Sequence, residues 1–168
     1  MEIKVTRIDA TYEGLDALIA GGKMQGKIGW PGDAIHMDPE TGNVQPVAYT
    51  AIKNEFGYAT TTPRGNPAIV PARPFLRNTV SRESTNWLNQ MEDGAKKVLD
   101  NQYGFDKVLD AVGAQAVQDV IATVFSNPFE PIAELTVKNR IKRGNSHILP
   151  LYDTGHMLGT LTNEVESK

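Results

Sequence analysis

Asn54-Glu55-Phe56-Gly57 closes one apolar periodicity, and Pro71-Ala72-Arg73-Pro74-Phe75-Leu76-Arg77 opens a longer one. Upstream of Gly57, the residues Val47, Ala48, Ala51, Ile52 and Phe56 recur at helical spacing, which predicts a helix from Pro46 with those residues on its buried face. Pro46 suits a first helical turn, where a missing amide hydrogen costs nothing, and Gly57 suits the left-handed position that ends a helix. Downstream, Val80, Trp87, Leu88, Met91, Ala95, Val98 and Leu99 form a stripe on a long helix from about Arg73 to Gln102, weakened slightly by Gly94. The intervening stretch, Tyr58 to Val70, is rich in threonine, proline and glycine and reads as an exposed excursion or long hairpin.

The same reading extends to both ends. A short helix is expected over residues 11–20, with Thr11 as N-cap and Gly21-Gly22 as terminator. A strand follows from Gln25 to Trp30 and runs into a turn at Pro31-Gly32, and Asp38 to Asn43 is a polar loop. Beyond the long helix, Asp106 can cap another, whose Val108, Val112, Ala116, Val120 and Val124 make one buried row and Leu109, Val117, Ile121 and Phe125 the next. A third, shorter helix is expected from Pro131 to about Arg143, ended by Gly144. After Asp153-Thr154-Gly155 come a short helix and a final strand. The fold class is therefore α+β: a small antiparallel or mixed sheet packed with one long and several shorter helices. One domain over residues 1–168 is expected, with extended loops near 37–46 and 58–70.

Composition excludes several function classes. The 168 residues are 40% apolar and 22% charged, which argues against disorder and membrane insertion. No apolar run follows Met1-Glu2-Ile3-Lys4-Val5-Thr6-Arg7 as a signal peptide would require, so a cytoplasmic, soluble chain is expected. With no cysteine there is no disulfide, thiolate nucleophile or cysteine-based metal site. The net charge of −3 implies no partner, but its distribution is uneven. Between Glu55 and Glu83 the charged residues are Arg64, Arg73, Arg77 and Arg82, and Lys138, Arg140, Lys142 and Arg143 form a second basic cluster. Arg64 and that second cluster are candidate faces for DNA or an acidic partner; the plainer reading is a solvated helix face.

No constellation of acid, base and nucleophile is visible, so no catalytic residue, cofactor or metal ligand is assigned. Asp153-Thr154-Gly155 has the wording of an aspartic-protease loop, but it sits late in a mostly helical chain, and a capping side chain beside a permissive glycine accounts for it. His36, His147 and His156 lack the spacing that puts two ligands on one helix face. The glycines at 21, 22, 26, 29 and 32 make no phosphate-cradling fingerprint. Trp87 lies in the helical stripe and reads as core; Trp30, at a turn, is a candidate interface anchor.

Three ordered motifs carry a family resemblance. Ala51-Ile52-Lys53-Asn54-Glu55-Phe56-Gly57, Pro71 to Arg77, and Pro150-Leu151-Tyr152-Asp153-Thr154-Gly155 resemble the "AxxNEFG", "PxRPFLR" and "PLxDTG" elements of the neck and tail-completion proteins of tailed bacteriophages. Lys27-Ile28-Gly29-Trp30 is similar to a strand of the same family, and the likeness is weak across the helices between. The resemblance implies a structural, non-catalytic virion protein, assembled in the host bacterial cytoplasm into a ring at the neck or the head-proximal end of the tail, with six copies expected in preference to twelve. The implied partners are further copies of the chain, head-closure or connector proteins, and tail-tube or tail-terminator proteins, with non-specific contact to packaged DNA and no membrane.

The implied structural motif comprises Glu55, Phe56, Gly57, Arg73, Pro74, Phe75, Asp153, Thr154 and Gly155. The segments 58–70 and 37–46 are expected to reach neighbouring subunits and become ordered on assembly. The alternatives are a cytoplasmic factor or enzyme that borrows the fold, or a DNA-binding regulator for which residues 136–143 come nearest to a recognition helix.

Overall fold

The computed structural model describes residues 8–38, 42–62, 65–126 and 128–167, with side chains from Glu13 onward. In chain order the elements are α1 (Ile8–Gly21), β1 (Met24–Gly29), β2 (Ile35–Met37), β3 (Val44–Pro46), α2 (Val47–Phe56), β4 (Tyr58–Thr61), β5 (Pro67–Val70), α3 (Phe75–Leu99), α4 (Phe105–Phe125), α5 (Glu134–Lys142), α6 (His156–Gly159) and β6 (Thr162–Ser167). The fold is α+β. Among the described residues the strands form three separate pairs, β1 with β6, β2 with β3 and β4 with β5.

Two compact units emerge, each assembled from distant segments: one from the chain up to Ile28, Glu83–Val117 and the stretch from Asn163, the other from Gly29–Arg82 and Gln118–Thr162. In the first, close approach depends on missing side chains. A Cβ at Gly14 would meet the Leu99 carbonyl oxygen at 2.5 Å, and one at Gly94 would meet Val108 Cγ1 at 2.4 Å. Gly94 therefore lets α3 and α4 touch, which offsets its poor helix propensity. Val98, Val108, Ala116 and Val117 are the buried apolar residues here, and Lys27 and Gln25 on β1 both bind Glu166 on β6.

In the second unit the core is Val47, Ala51, Phe75, Val120, Val124, Leu158 and Leu161, and the positions 108, 116, 120 and 124 follow the row expected for α4. By length and composition α4 would pass as a membrane span, but it spends that row on packing. Two fully buried hydroxyls tie α3 to α4: Thr79 Oγ1 lies 2.7 Å from Thr123 Oγ1, which also accepts from Arg82 Nη2 at 2.9 Å. Trp30, expected as an exposed anchor, is half-buried instead. Its indole Nε1 donates to Met157 O at 2.6 Å and its ring stands edge-on to Phe75, because an indole N–H set in apolar surroundings must find an acceptor.

Several expectations are corrected. Of the α3 stripe, Val80 and Leu88 are 52% and 65% exposed, Leu99 is exposed and Trp87, read as core, is only half-buried, because α3 is covered along part of its length only. Phe125 of the second α4 row is exposed, and Asp106 lies inside the first turn of α4, which begins at Phe105, and is no cap. Thr11 is no N-cap; α1 begins at Ile8, since Asp9-Ala10 contains nothing to break a helix. The loop expected at 37–46 is a hairpin whose register pairs Ile35 with Pro46, His36 with Gln45 and Met37 with Val44. Pro46 precedes α2 with extended backbone, φ −57° and ψ 139°, and α5 starts at Glu134, three residues after Pro131. The 58–70 segment, expected as an exposed excursion or a long hairpin, is the hairpin, antiparallel from Tyr58 opposite Val70 to Thr61 opposite Pro67.

Candidate functional site

The second unit brings the motifs of residues 54–57 and 71–77 together. The side of α2 that is buried is Val47, Ala51 and Glu55, while Ile52 and Phe56, expected on that face, are 54% and 63% exposed. The helix is rotated by one position because Glu55 has a polar task inside. The first amides of α3 have no partner within their own helix. Glu55 supplies it: Oε2 accepts from Leu76 N at 2.9 Å and Oε1 from Arg77 N at 3.2 Å. A carboxylate there is also favoured by the positive end of the helix dipole.

Arg77 closes the arrangement, its Nε donating to Glu55 Oε1 at 2.9 Å and its Nη2 to Glu55 O at 3.0 Å, while its guanidinium lies over the Phe56 ring at 4.7 Å. Arg73 N donates to Asn54 O at 2.8 Å, and the loop from Arg73 to Phe75 turns the chain into α3 with Phe75 fully buried. Gly57 has φ +74°, and a Cβ there would meet Ala72 N at 2.7 Å, so the strand beyond α2 passes against the approach to α3 only because the position is glycine.

The third motif forms a turn wrapped around a buried guanidinium. Arg140 Nη1 reaches the carbonyls of His147, Leu149 and Tyr152 at 2.9, 3.0 and 3.1 Å, and Arg140 Nε lies 3.4 Å from Asp153 Oδ1. Burial pushes the Arg140 guanidinium below its ordinary value, opposed by Asp153. Asp153 also takes Arg143 Nη2 at 3.2 Å and the Asn145 amide, so its carboxylate is held by structural partners. Leu151 stands at φ +64°, a strained setting for a side-chain residue that the surrounding bonds hold in place. Thr154 Oγ1 accepts from His156 N at 3.3 Å, and Gly155 is left-handed at φ +77° beside the Tyr152 ring.

The basic cluster at 138–143 is thus divided. Arg140, expected as an outward contact, is only 7% exposed because backbone carbonyls of the turn surround it, and Arg143 pairs with Asp153. Lys138 and Lys142 remain exposed, Lys138 beside Glu134. Arg64 lies outside the described residues.

Arg73 was read from the sequence as a helix-entry residue within the basic run from Arg64 to Arg82, with no cavity expected beside it. It lines a cavity of about 440 Å³ bounded by β4, β5, α5 and the 151–157 turn, together with His36, Tyr58, Glu130, Thr136 and Arg140. Burial pushes Arg73 below its ordinary value, and Tyr58 is raised by burial, against the pull of the Arg73 charge. The His36 and His156 rings, both on the lining, are stacked with centroids 6.4 Å apart, and His156 Nε2 donates to Ile35 O at 2.8 Å. Among the described residues no group of three or more histidine, aspartate or glutamate side chains comes together in a metal-binding arrangement.

No protein-family model, no curated protein and no solved structure matches the chain.

Proposed function

We propose that this chain is a structural subunit of a tailed bacteriophage, forming a ring at the neck or the head-proximal end of the tail and joining head to tail. The observation that carries the reading is the outward face of two hairpins in one unit. On β2–β3 the residues Ile35, Met37 and Val44 alternate onto one side and are 58%, 65% and 55% exposed. On β4–β5, Ile69 is 83% exposed. A two-stranded hairpin is marginal alone, and apolar side chains clustered on such arms gain free energy when a neighbouring surface covers them. Ring subunits need arms of this kind. The interlock of the 54–57 and 71–77 segments supports the same reading, because it makes one structural unit of motifs that the phage resemblance treats as separate words.

Light scattering on the purified protein, alone and mixed with a head-closure or tail-tube protein of the same phage, tests the proposal. A discrete ring, or a monomer converted to one by that partner, is the expected result. A monomer indifferent to both partners refutes it. Limited proteolysis adds a second readout: the 58–70 hairpin is expected to be cut in free protein and protected in the ring.

A further inference from the structure

Three charged side chains are buried among the described residues, and two of them have charged or multiple backbone partners, although the Nε of Arg140, like that of Arg73, makes no hydrogen bond. Glu55 caps α3, and Arg140 holds the 147–153 turn. Arg73 is different. It is 6% exposed, its Nε has no hydrogen-bond partner, and among the described residues no carboxylate lies within ion-pair distance of it. Arg73 is part of the cavity lining, as are Tyr58, Arg140 and Glu130, the groups whose charge acts on its guanidinium, Glu130 favourably and Arg140 unfavourably. A buried guanidinium stays charged, and leaving it unpaired is costly, so a counter-charge that enters the cavity gains unusually much.

We propose that this cavity is an oxyanion site, in which a single carboxylate or phosphate group docks on Arg73 with the Tyr58 hydroxyl as a second donor. The volume of about 440 Å³ lies in the range of small-molecule sites. The planar guanidinium fork presents paired N–H groups that match the oxygens of either group. Asp153, the other acid that reaches the lining, is neutralised by Arg140 and Arg143 and does not compete. Glu130, exposed and on the lining, acts on the Arg73 charge and repels an anion, so an occupant with one anionic group is favoured over one with several. The group comes either from a small phosphorylated molecule or from an acidic side chain of another protein, and this inference stands independently of the ring proposal.

The test is thermal unfolding of the full chain in inorganic phosphate, in acetate and in chloride of matched ionic strength. A saturable rise in midpoint is expected, roughly 5–10 °C at a free anion concentration a hundredfold above Kd, whereas general salt stabilisation rises without saturating. Saturation by phosphate alone indicates the phosphorylated molecule, by acetate alone the acidic side chain, and by both the shared oxyanion chemistry. Arg73→Met should abolish the saturable part, Arg73→Lys should raise Kd at least tenfold, and Glu130→Gln should lower it. If Arg73→Met does not fold, Tyr58→Phe provides the comparison and should raise Kd severalfold. No saturable rise with either anion, or an equal rise in Arg73→Met or an unchanged Kd in Tyr58→Phe, overturns the proposal.

Discussion

Glu55 near the end of α2 accepts the backbone amide of Leu76 at the start of α3, with Oε2 2.9 Å from the nitrogen. One side chain thereby connects two helices separated by a hairpin, satisfying amides that the second helix cannot satisfy itself and using a charge that its dipole favours.

Replacing Glu55 removes both the cap and the partner of Arg77 at a site only 3% exposed. Glu55→Ala should destabilise the protein by about 2–4 kcal/mol, since two amides lose their acceptor in a buried setting. The Arg77 side chain is 57% exposed, so Arg77→Ala should cost less than about 1 kcal/mol. Urea unfolding of both variants measures the contrast, and equal losses would contradict the cap as the dominant interaction.

Gly94→Ala would ordinarily gain about 1 kcal/mol inside a helix. Here the new Cβ would fall 2.4 Å from Cγ1 and 2.9 Å from Cγ2 of Val108, a stiff, buried side chain. The substitution should instead cost about 1–3 kcal/mol, and Val108→Ala in the same chain should recover part of that loss. Chemical denaturation of the two single variants and the double variant decides it; strictly additive effects would count against the contact.

Tyr58 is raised from its ordinary value, first by burial, with Arg73 opposing and Asp38 adding to the rise. The folded state therefore favours the neutral phenol. Its contribution is fully present below pH about 10, where the unfolded phenol titrates, and is lost as pH climbs toward the higher folded value. Wild type should lose stability relative to Tyr58→Phe between pH about 9.5 and 11. Urea midpoints across that window give the answer, and a relative gain by wild type would reverse the sign.

On the ring proposal, Met37→Glu and Ile69→Glu should abolish assembly while leaving the isolated chain intact. Both side chains face outward, at 65% and 83% exposure, so the change in folding stability should stay within about 0.5 kcal/mol. Sedimentation of the variants with the partner protein, beside an unfolding curve for each, separates the effects. Rings formed as readily as by wild type would remove these hairpins from the interface.

Helix positions were readable where the breakers were clear, although the α3 stripe overstated what is covered, with Val80 and Leu88 exposed. The row Val108, Val112, Ala116, Val120 and Val124 is half-buried or buried throughout, and Gly57, Gly144 and Gly155 all take positive φ at the ends and turns where they were expected. The α2 face was misread because the apolar spacing of Ile52 and Phe56 outweighed Glu55, and no local pattern announces a carboxylate whose partners lie about twenty residues away. Arg140 was likewise read as surface charge, since the carbonyls that bury it belong to a later turn.

By itself the sequence determined the α+β class, the order of the helices and the turn-rich excursion at 58–70, because propensity, periodicity and turn chemistry act over neighbouring residues. Only the tertiary structure decided which face of α2 turns inward, that the strands pair as three separate hairpin-sized sheets, and that Arg140 is enclosed while Arg73 lines a cavity without a partner. The physical reason is that burial and hydrogen-bond satisfaction depend on what the rest of the chain brings to a position, and that information is not local.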